Sequence, residues 1–383
     1  TPFHYTDCFS VRQIGYGGMD DRSDPYIMFD KNGYCNYCTT ALQKKNTWYY
    51  PNEEGKRKLE SLIAKIKAAA QGRKYDCLMG LSGGLDSSYL AYLGAYKWGL
   101  RIAAVHIDDG YDTEISKCNI KKLCEKANIQ LIVIKPDAEQ YNALTKAYMK
   151  AGVPNLAVPQ DNILFAYLYN FAKENQIKYF LSGQNFALES ILQKGNTWSA
   201  YDLTNLRDIQ KKFDEKPVDK LRFISSVQKL ADNYLLGMKT VSPLDYVDYN
   251  RANAFRELKE FCGFEYYGRK HLENYLTAFI QLYWFPKKFN VDKRTSHLSS
   301  MVVSGQMTRE QALEEYSLPL YEEEYIDKVK KLICEKVEIS EEELKAFVEA
   351  PGKQHDEYKT EKLFPFLRAI YQPIKKVRRF IKE

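Results

Sequence analysis

The chain has 383 residues, 45% hydrophobic, 14% aromatic and 28% charged. This composition excludes a largely disordered chain, and no apolar run approaches the ~18–20 residues that a membrane helix needs. Lys and Arg number 56 against 50 Asp and Glu, a net charge of +6. That excess is too mild for a dedicated nucleic-acid binder and agrees with an enzyme acting on anionic substrates. Thr1 to Ser10 lacks the apolar segment of a signal peptide. Apart from Cys35 and Cys38, the eight cysteines are scattered, so a reduced, cytoplasmic setting is expected.

The first ~50 residues read as loop, punctuated by Gly15, Gly17, Gly18, Pro25 and Gly33. Residues 53–71 form a helix candidate, with Leu59, Leu62, Ile63 and Ile66 at helical spacing and Gly72 as its stop. Strands and helices then alternate. Strands are expected at Cys77–Leu81, Ile102–Ile107, Leu131–Ile134 and Tyr179–Leu181, and helices at Ser88–Trp98, Ser116–Ala127 and Gln160–Asn175. This alternation predicts an α/β fold, a doubly wound parallel sheet with helices on both faces. From about residue 200 the strand signal fades into helices joined by polar loops, one opened by a capping box at Ser340 and Glu343. The basic stretch Lys375 to Arg379 reads as a solvated helix end. The expected division is a loop-rich N-terminal module over 1–70, an α/β domain over 71–200 and a helical region over 201–383.

The strongest motif is Leu81-Ser82-Gly83-Gly84-Leu85-Asp86-Ser87-Ser88, directly after the first strand and before a helix. In parallel sheets, ligands bind beyond the C-terminal strand ends. Gly83 and Gly84 let the backbone approach a phosphate, and the following helix turns unpaired N–H groups and a positive dipole end toward it. Ser82, Ser87 and Ser88 add hydroxyl donors. Asp86 beside a phosphate is repulsive unless a cation bridges the two, so it implies Mg²⁺. The loop is neither a Walker loop nor GxGxxG.

This SGGLDSS stretch resembles the PP-loop of the N-type ATP pyrophosphatases, a family that includes GMP synthetase, asparagine synthetase, argininosuccinate synthetase and the tRNA thiolation enzymes. The resemblance implies an adenine nucleotide alpha-hydrolase-like fold whose loop grips the ATP pyrophosphate while an oxygen nucleophile takes the AMP. It also implies an adenosine site at the end of the second strand, where His106 and Asp108 stand, and a close approach of Gly183 to the nucleotide. A polar strand-to-helix turn is the structural alternative at both places.

Longer stretches are similar to the N-acetyl sugar amidotransferases of surface-polysaccharide (lipopolysaccharide) and nonulosonic acid synthesis. They are Ser23-Asp24-Pro25, Phe29-Asp30, Gly33 to Cys38, the Ser82–Ser88 loop, Ser182 to Asn185, Tyr267 to Glu273, Asp292-Lys293-Arg294, His297 to Ser300 and Ser304 to Glu310. The resemblance implies that an acetamido oxygen attacks the α-phosphorus of ATP, pyrophosphate leaves, and ammonia then displaces AMP to give an acetamidino sugar. The chain has no Gly-x-Cys-x-Gly elbow and no N-terminal Cys, so the family's separate glutaminase and channel-type synthase subunit are the expected partners. Lys270, His271, Glu273, Lys293, Arg294 and His297 are read as holding an acidic or nucleotide-linked sugar and stabilising charge on the adenylate. Lys270, His271 and Arg294 join Asp86 as candidate catalytic residues, His271 for proton transfer. Solvated helix faces with ordinary ion pairs are the alternative reading of this set.

Cys35-x-x-Cys38 is half of a zinc knuckle, or else two small buried thiols. Family members carry a second Cys-x-x-Cys upstream, where this chain has Gly15 and Gly18. A closed Zn²⁺ site would therefore need Cys8 or a histidine. Two rival functions remain in view: tRNA thiolation on the same nucleotide domain, and a non-enzymatic ATP-binding regulatory module. The first needs a cysteine pair near the loop, and Cys118 and Cys124 stand six apart on a helix; the second lacks an acidic residue at the position of Asp86.

Overall fold

The computed structural model describes residues 24, 26–213, 216–268 and 272–362. Five parallel strands form one sheet: β1 (Cys77–Gly80), β2 (Ile102–Ile107), β3 (Gln130–Ile134), β4 (Tyr179–Leu181) and β5 (Lys239–Val241), in the order β3-β2-β1-β4-β5. Strand β1 is central, its Met79 registered against Ala104 of β2 on one side and Leu181 of β4 on the other. Successive side chains alternate between two cores, as the period of a strand requires. Cys77, Met79, Ile102 and Ala104 enter one; Leu78, Ala103 and Val105 enter the other, with Ala166, Leu168 and Tyr169 of the helix Val158–Glu174. The sheet is thus doubly wound, as the alternation of elements implies. A third core gathers Tyr148, Leu206, Phe279, Trp284, Ile333 and Leu344 from helices outside the sheet, most of them C-terminal.

Strands β2 and β3 lie to one side of β1 and β4 and β5 to the other. The winding direction therefore reverses between β1 and β4, and the crevice at such a reversal is where open α/β sheets bind ligands. The loop after β1 and the Ser182-Gly183 turn after β4 flank it.

Four elements depart from the sequence reading. A helix, Asn36–Trp48, lies within the stretch read as loop; Cys35 is its N-cap, the Sγ accepting the Cys38 N–H at 3.3 Å. The helix Ala138–Ala151, capped by Asp137, fills the gap after β3. The helix after β1 starts at Leu85, not Ser88, and passes through a π-turn at Leu93–Lys97 before Gly99. Strand β5 lies beyond residue 200, where only helical texture is legible; it is a three-residue edge strand, mostly exposed, and too short to show alternation. The Ser340–Glu343 capping box is formed as expected. No described helix is long and apolar enough to cross a membrane.

Candidate active site

The loop after β1 is held in shape by its own serines. Ser82 Oγ accepts the Gly84 N–H at 3.2 Å and lies 3.2 Å from Ser87 Oγ, while the Ser87 hydroxyl also reaches the Gly84 carbonyl at 3.2 Å. Gly83 has φ +75°, a left-handed conformation, and a side chain there would meet the Ser116 carbonyl at 2.5 Å. Gly84 is the N-cap of the helix Leu85–Tyr92 and provides no side-chain cap. The first-turn amides are thus presented by backbone alone, the arrangement an anion requires. Tyr267 occupies one of them, its hydroxyl accepting the Leu85 N–H at 2.8 Å.

A cavity of about 180 Å³ opens on this loop, lined by Ser82, Gly84, Asp86, Ser87, Gly183, Glu189, Arg251 and Glu273 among others. Five of the expected nucleotide-binding residues therefore face one space. Gly183 lies hard against the helix start; a β-carbon on it would stand 3.3 Å from the Ser87 nitrogen. Ser88 is fully buried, and its hydroxyl finds no hydrogen-bond partner in the protein. Such a donor is costly unless a ligand or water uses it. The backbone amides presented without a side-chain cap fit a nucleotide polyphosphate, whereas Ser88 is not among the residues lining the cavity. Asp86 accepts a hydrogen bond from the buried Tyr249 hydroxyl, which orients its carboxylate beside the loop. One carboxylate plus phosphate oxygens is an ordinary Mg²⁺ ligand set, so Asp86 fits that role.

The end of β2 is built differently. His106 is buried, its Nδ1–H donating to the Leu81 carbonyl at 2.9 Å and its Nε2 lying 3.2 Å from Asp112 Oδ2. Burial works to lower the His106 pKa, but the hydrogen bond and charge of Asp112 outweigh it and hold the imidazole above its ordinary value. Asp108 pairs with Lys135 at 3.1 Å; burial opposes its ionisation, yet the lysine keeps its pKa below the usual value. Neither residue lines the cavity around the loop. His106 instead props the loop from below through Leu81. Neighbouring Asp109 is buried, and burial, with the charge of Asp112, pushes its pKa up to about 6. It accepts hydrogen bonds from Tyr141 at 3.0 Å, Gln160 at 2.5 Å and Asn274 at 3.3 Å.

Asn274 belongs to a segment that stitches the C-terminal region onto the sheet. Thr113 N–H donates to the Glu273 carbonyl at 3.0 Å, Tyr275 N–H to the Tyr111 carbonyl at 2.7 Å, and Asp112 bridges to Asn274 in antiparallel fashion. This directs the buried Glu273 side chain at the loop, where its carboxylate accepts from Ser82 Oγ at 3.4 Å.

A second, smaller cavity of about 40 Å³ is lined by Arg251, Asp292, Lys293, Arg294, His297 and Glu315 among others, and shares Leu188 and Arg251 with the first. The structure thus brings Lys293, Arg294 and His297 together. Arg294 is held by Asp292, with contacts of 2.7–3.1 Å, and by the Leu318 carbonyl at 2.8 Å. Lys293 donates to Asn196 at 3.1 Å. Lys270 and His271 lie outside the described residues. Tyr249 and Arg251 carry no motif spacing in the sequence, and only their position beside the loop reveals them; Tyr267 opens one of the stretches singled out above, but no role was assigned to it.

Cys35 and Cys38 adjoin at the start of their helix, and burial pushes the Cys35 thiol up. Among the described residues, no three His, Cys, Asp or Glu side chains gather as a metal site. Two sulfurs do not close a Zn²⁺ shell, and Cys8 lies outside the described residues. The expected zinc is therefore not supported here.

Residues 76–189 match the family described as queuosine biosynthesis protein QueC, and residues 273–372 match the family described as LPS biosynthesis protein WbpG-like, C-terminal domain. No curated protein matches the chain. Among solved structures, the chain is similar to the NMN synthetase of Francisella tularensis at 16% identity, over 55% of this chain and 93% of that one, TM-score 0.29. The NH3-dependent NAD synthetase of Campylobacter jejuni gives 15%, 56%, 99% and 0.28. The U34-tRNA thiolase NcsA of Methanococcus maripaludis gives 14%, 68%, 81% and 0.31.

Proposed function

The chain joins a nucleotide domain of the PP-loop ATP pyrophosphatase type to a WbpG-like C-terminal domain; from that premise we propose that it is an ATP-dependent amidotransferase acting on an acetamido sugar. The acetamido oxygen attacks the α-phosphorus of ATP, pyrophosphate departs, and an O-adenylylated imidate forms. Ammonia adds to the imidate carbon, the C–O bond breaks so that AMP departs carrying the former acetamido oxygen, and loss of a proton gives the acetamidine. Adenylylation turns a poor leaving group into a good one, so the protein's task is positioning and charge neutralisation.

In this reading the Ser82–Ser88 loop holds the two outer phosphates, and bound Mg²⁺ neutralises their charge next to Asp86. Tyr249 fixes the Asp86 carboxylate. Arg294, Lys293 and His297 line the sugar side of the site, and Lys270 and His271 are assigned to the same substrate from the sequence alone. The region over 201–383 serves substrate and partner, and 71–200 serves the nucleotide. Ammonia comes from a separate glutaminase through a channel-type synthase subunit, and the reaction is cytoplasmic.

The observation that carries the reading is the Glu273–Ser82 contact. Glu273 opens the WbpG-like segment, so whatever that domain holds meets the phosphate loop directly. Mass spectrometry of acetamido-sugar nucleotides incubated with ATP, Mg²⁺ and ammonium tests it. The expected product has one oxygen exchanged for one NH, with AMP and pyrophosphate in equal amount; no product with any acetamido sugar rejects the reading.

A further inference from the structure

We propose that Arg251 is a catalytic residue, the cation that contacts the α-phosphate of ATP at the seam between the nucleotide cavity and the C-terminal cavity. This rests on the adenylylation reading above, which it deepens by one residue.

Among the described residues lining the nucleotide cavity, Arg251 is the one cation. A guanidinium on that wall is a ready partner for phosphate oxygens. Arg251 also lines the smaller C-terminal cavity and an open groove of about 590 Å³ beside the helix Arg251–Cys262. The guanidinium therefore stands where three spaces meet. A phosphorus attacked from the sugar side while its leaving group lies on the loop side must occupy just such a junction.

The side chain is held for this task. Its NH2 donates to Glu315 Oε2 at 3.2 Å, and both side chains are about 30% exposed, at 31% and 27%. Glu315 lines the C-terminal cavity and the groove but not the nucleotide cavity. The pair is thus anchored on the far side. A guanidinium has five donors in a rigid fork, so one contact to Glu315 leaves the other edge for phosphate oxygens. Because that fork persists as charge grows on the α-phosphate oxygens, Arg251 acts in the transition state as well as in binding.

Two measurements on the full chain test this. Equilibrium titration with a non-hydrolysable ATP analogue and Mg²⁺ needs no sugar. Arg251→Gln is expected to weaken binding about 10- to 100-fold, the effect of removing one charge-assisted contact. Pyrophosphate release with the acetamido-sugar substrate is expected to fall about 10²–10³-fold in kcat. Arg251→Lys should recover part of both, and added guanidinium ion should restore turnover to Arg251→Ala, which a purely structural role would not allow. Wild-type affinity and turnover in a folded Arg251→Gln protein overturn the proposal, as does a loss that neither lysine nor guanidinium relieves. If wild type binds the nucleotide but releases no pyrophosphate with any acetamido sugar, the reaction assigned above fails, and the titration still decides on Arg251.

Discussion

Glu273 accepts a hydrogen bond from Ser82 across 191 residues of sequence, and the same carboxylate stands where a side chain on Gly84 would have to go. Gly84 is thus glycine because a second domain has filled the space above it. Gly84→Ala is expected to drive Glu273 off the loop, costing about 1–3 kcal/mol of stability and lowering nucleotide affinity. Glu273→Ala in the same chain removes the obstacle, so the double variant should recover most of the stability. Denaturant melts of the four proteins of this cycle measure the coupling. Additive losses would show that the two residues do not share the space.

Asp86 and Tyr249 form the second test. Asp86→Asn keeps the shape and a hydrogen-bond acceptor for Tyr249 but removes the charge that Mg²⁺ needs. Magnesium-dependent pyrophosphate release should be abolished, with an unchanged thermal melt. Tyr249→Phe leaves the charge and loses only its orientation. A loss of about 10-fold is expected, the lower end for a hydrogen bond to a charged group. Retained turnover in Asp86→Asn removes this carboxylate from the mechanism.

The loop was legible because its chemistry is local. Ser82, Gly83, Gly84, Asp86 and Ser87 are contiguous, and the strand before and helix after them are strong in pattern. Strands β1 to β4 were legible because each is a short apolar run bounded by turns. Strand β5 was not: Lys239-Thr240-Val241 draws its identity from the neighbour it pairs with, Tyr179–Leu181, not from its own composition. Tyr249 and Arg251 were hidden for the same reason. A tyrosine whose hydroxyl meets an aspartate 163 residues away looks in sequence like any core aromatic. His106 was found but read as a nucleotide ligand, whereas both its nitrogens face the protein.

That burial of His106 gives the site a pH signature. Its folded-state pKa stands above the ordinary value, because Asp112 outweighs the cost of burial. The stabilisation from the charged pair is therefore complete below the unfolded-state value of about 6.5 and is lost as pH rises through the folded-state value. The difference in unfolding free energy between wild type and His106→Gln should accordingly be greatest at acid pH and shrink toward alkaline pH. Asp112→Asn should flatten the same slope. Chemical denaturation at a series of pH values measures both, and curves that stay parallel throughout exclude the pair as the titrating unit.

Ser88 separates a ligand-binding role from a structural one most cleanly. Its hydroxyl is buried and finds no partner in the protein, so the folded chain without ligand carries an unsatisfied polar group, a burden of about 1–3 kcal/mol. A serine that served the fold alone would be replaced by alanine to advantage. Ser88→Ala is therefore expected to melt at the same temperature as wild type or higher when ATP is absent. With saturating ATP and Mg²⁺ the order should reverse, since the ligand stabilises whichever protein binds it more tightly. The serine earns its place only if the bound nucleotide, directly or through water, takes up the hydroxyl. Scanning calorimetry with and without nucleotide reads both halves of this expectation. A variant that gains as much from ATP as wild type does would remove Ser88 from the nucleotide site and leave its buried hydroxyl without a function.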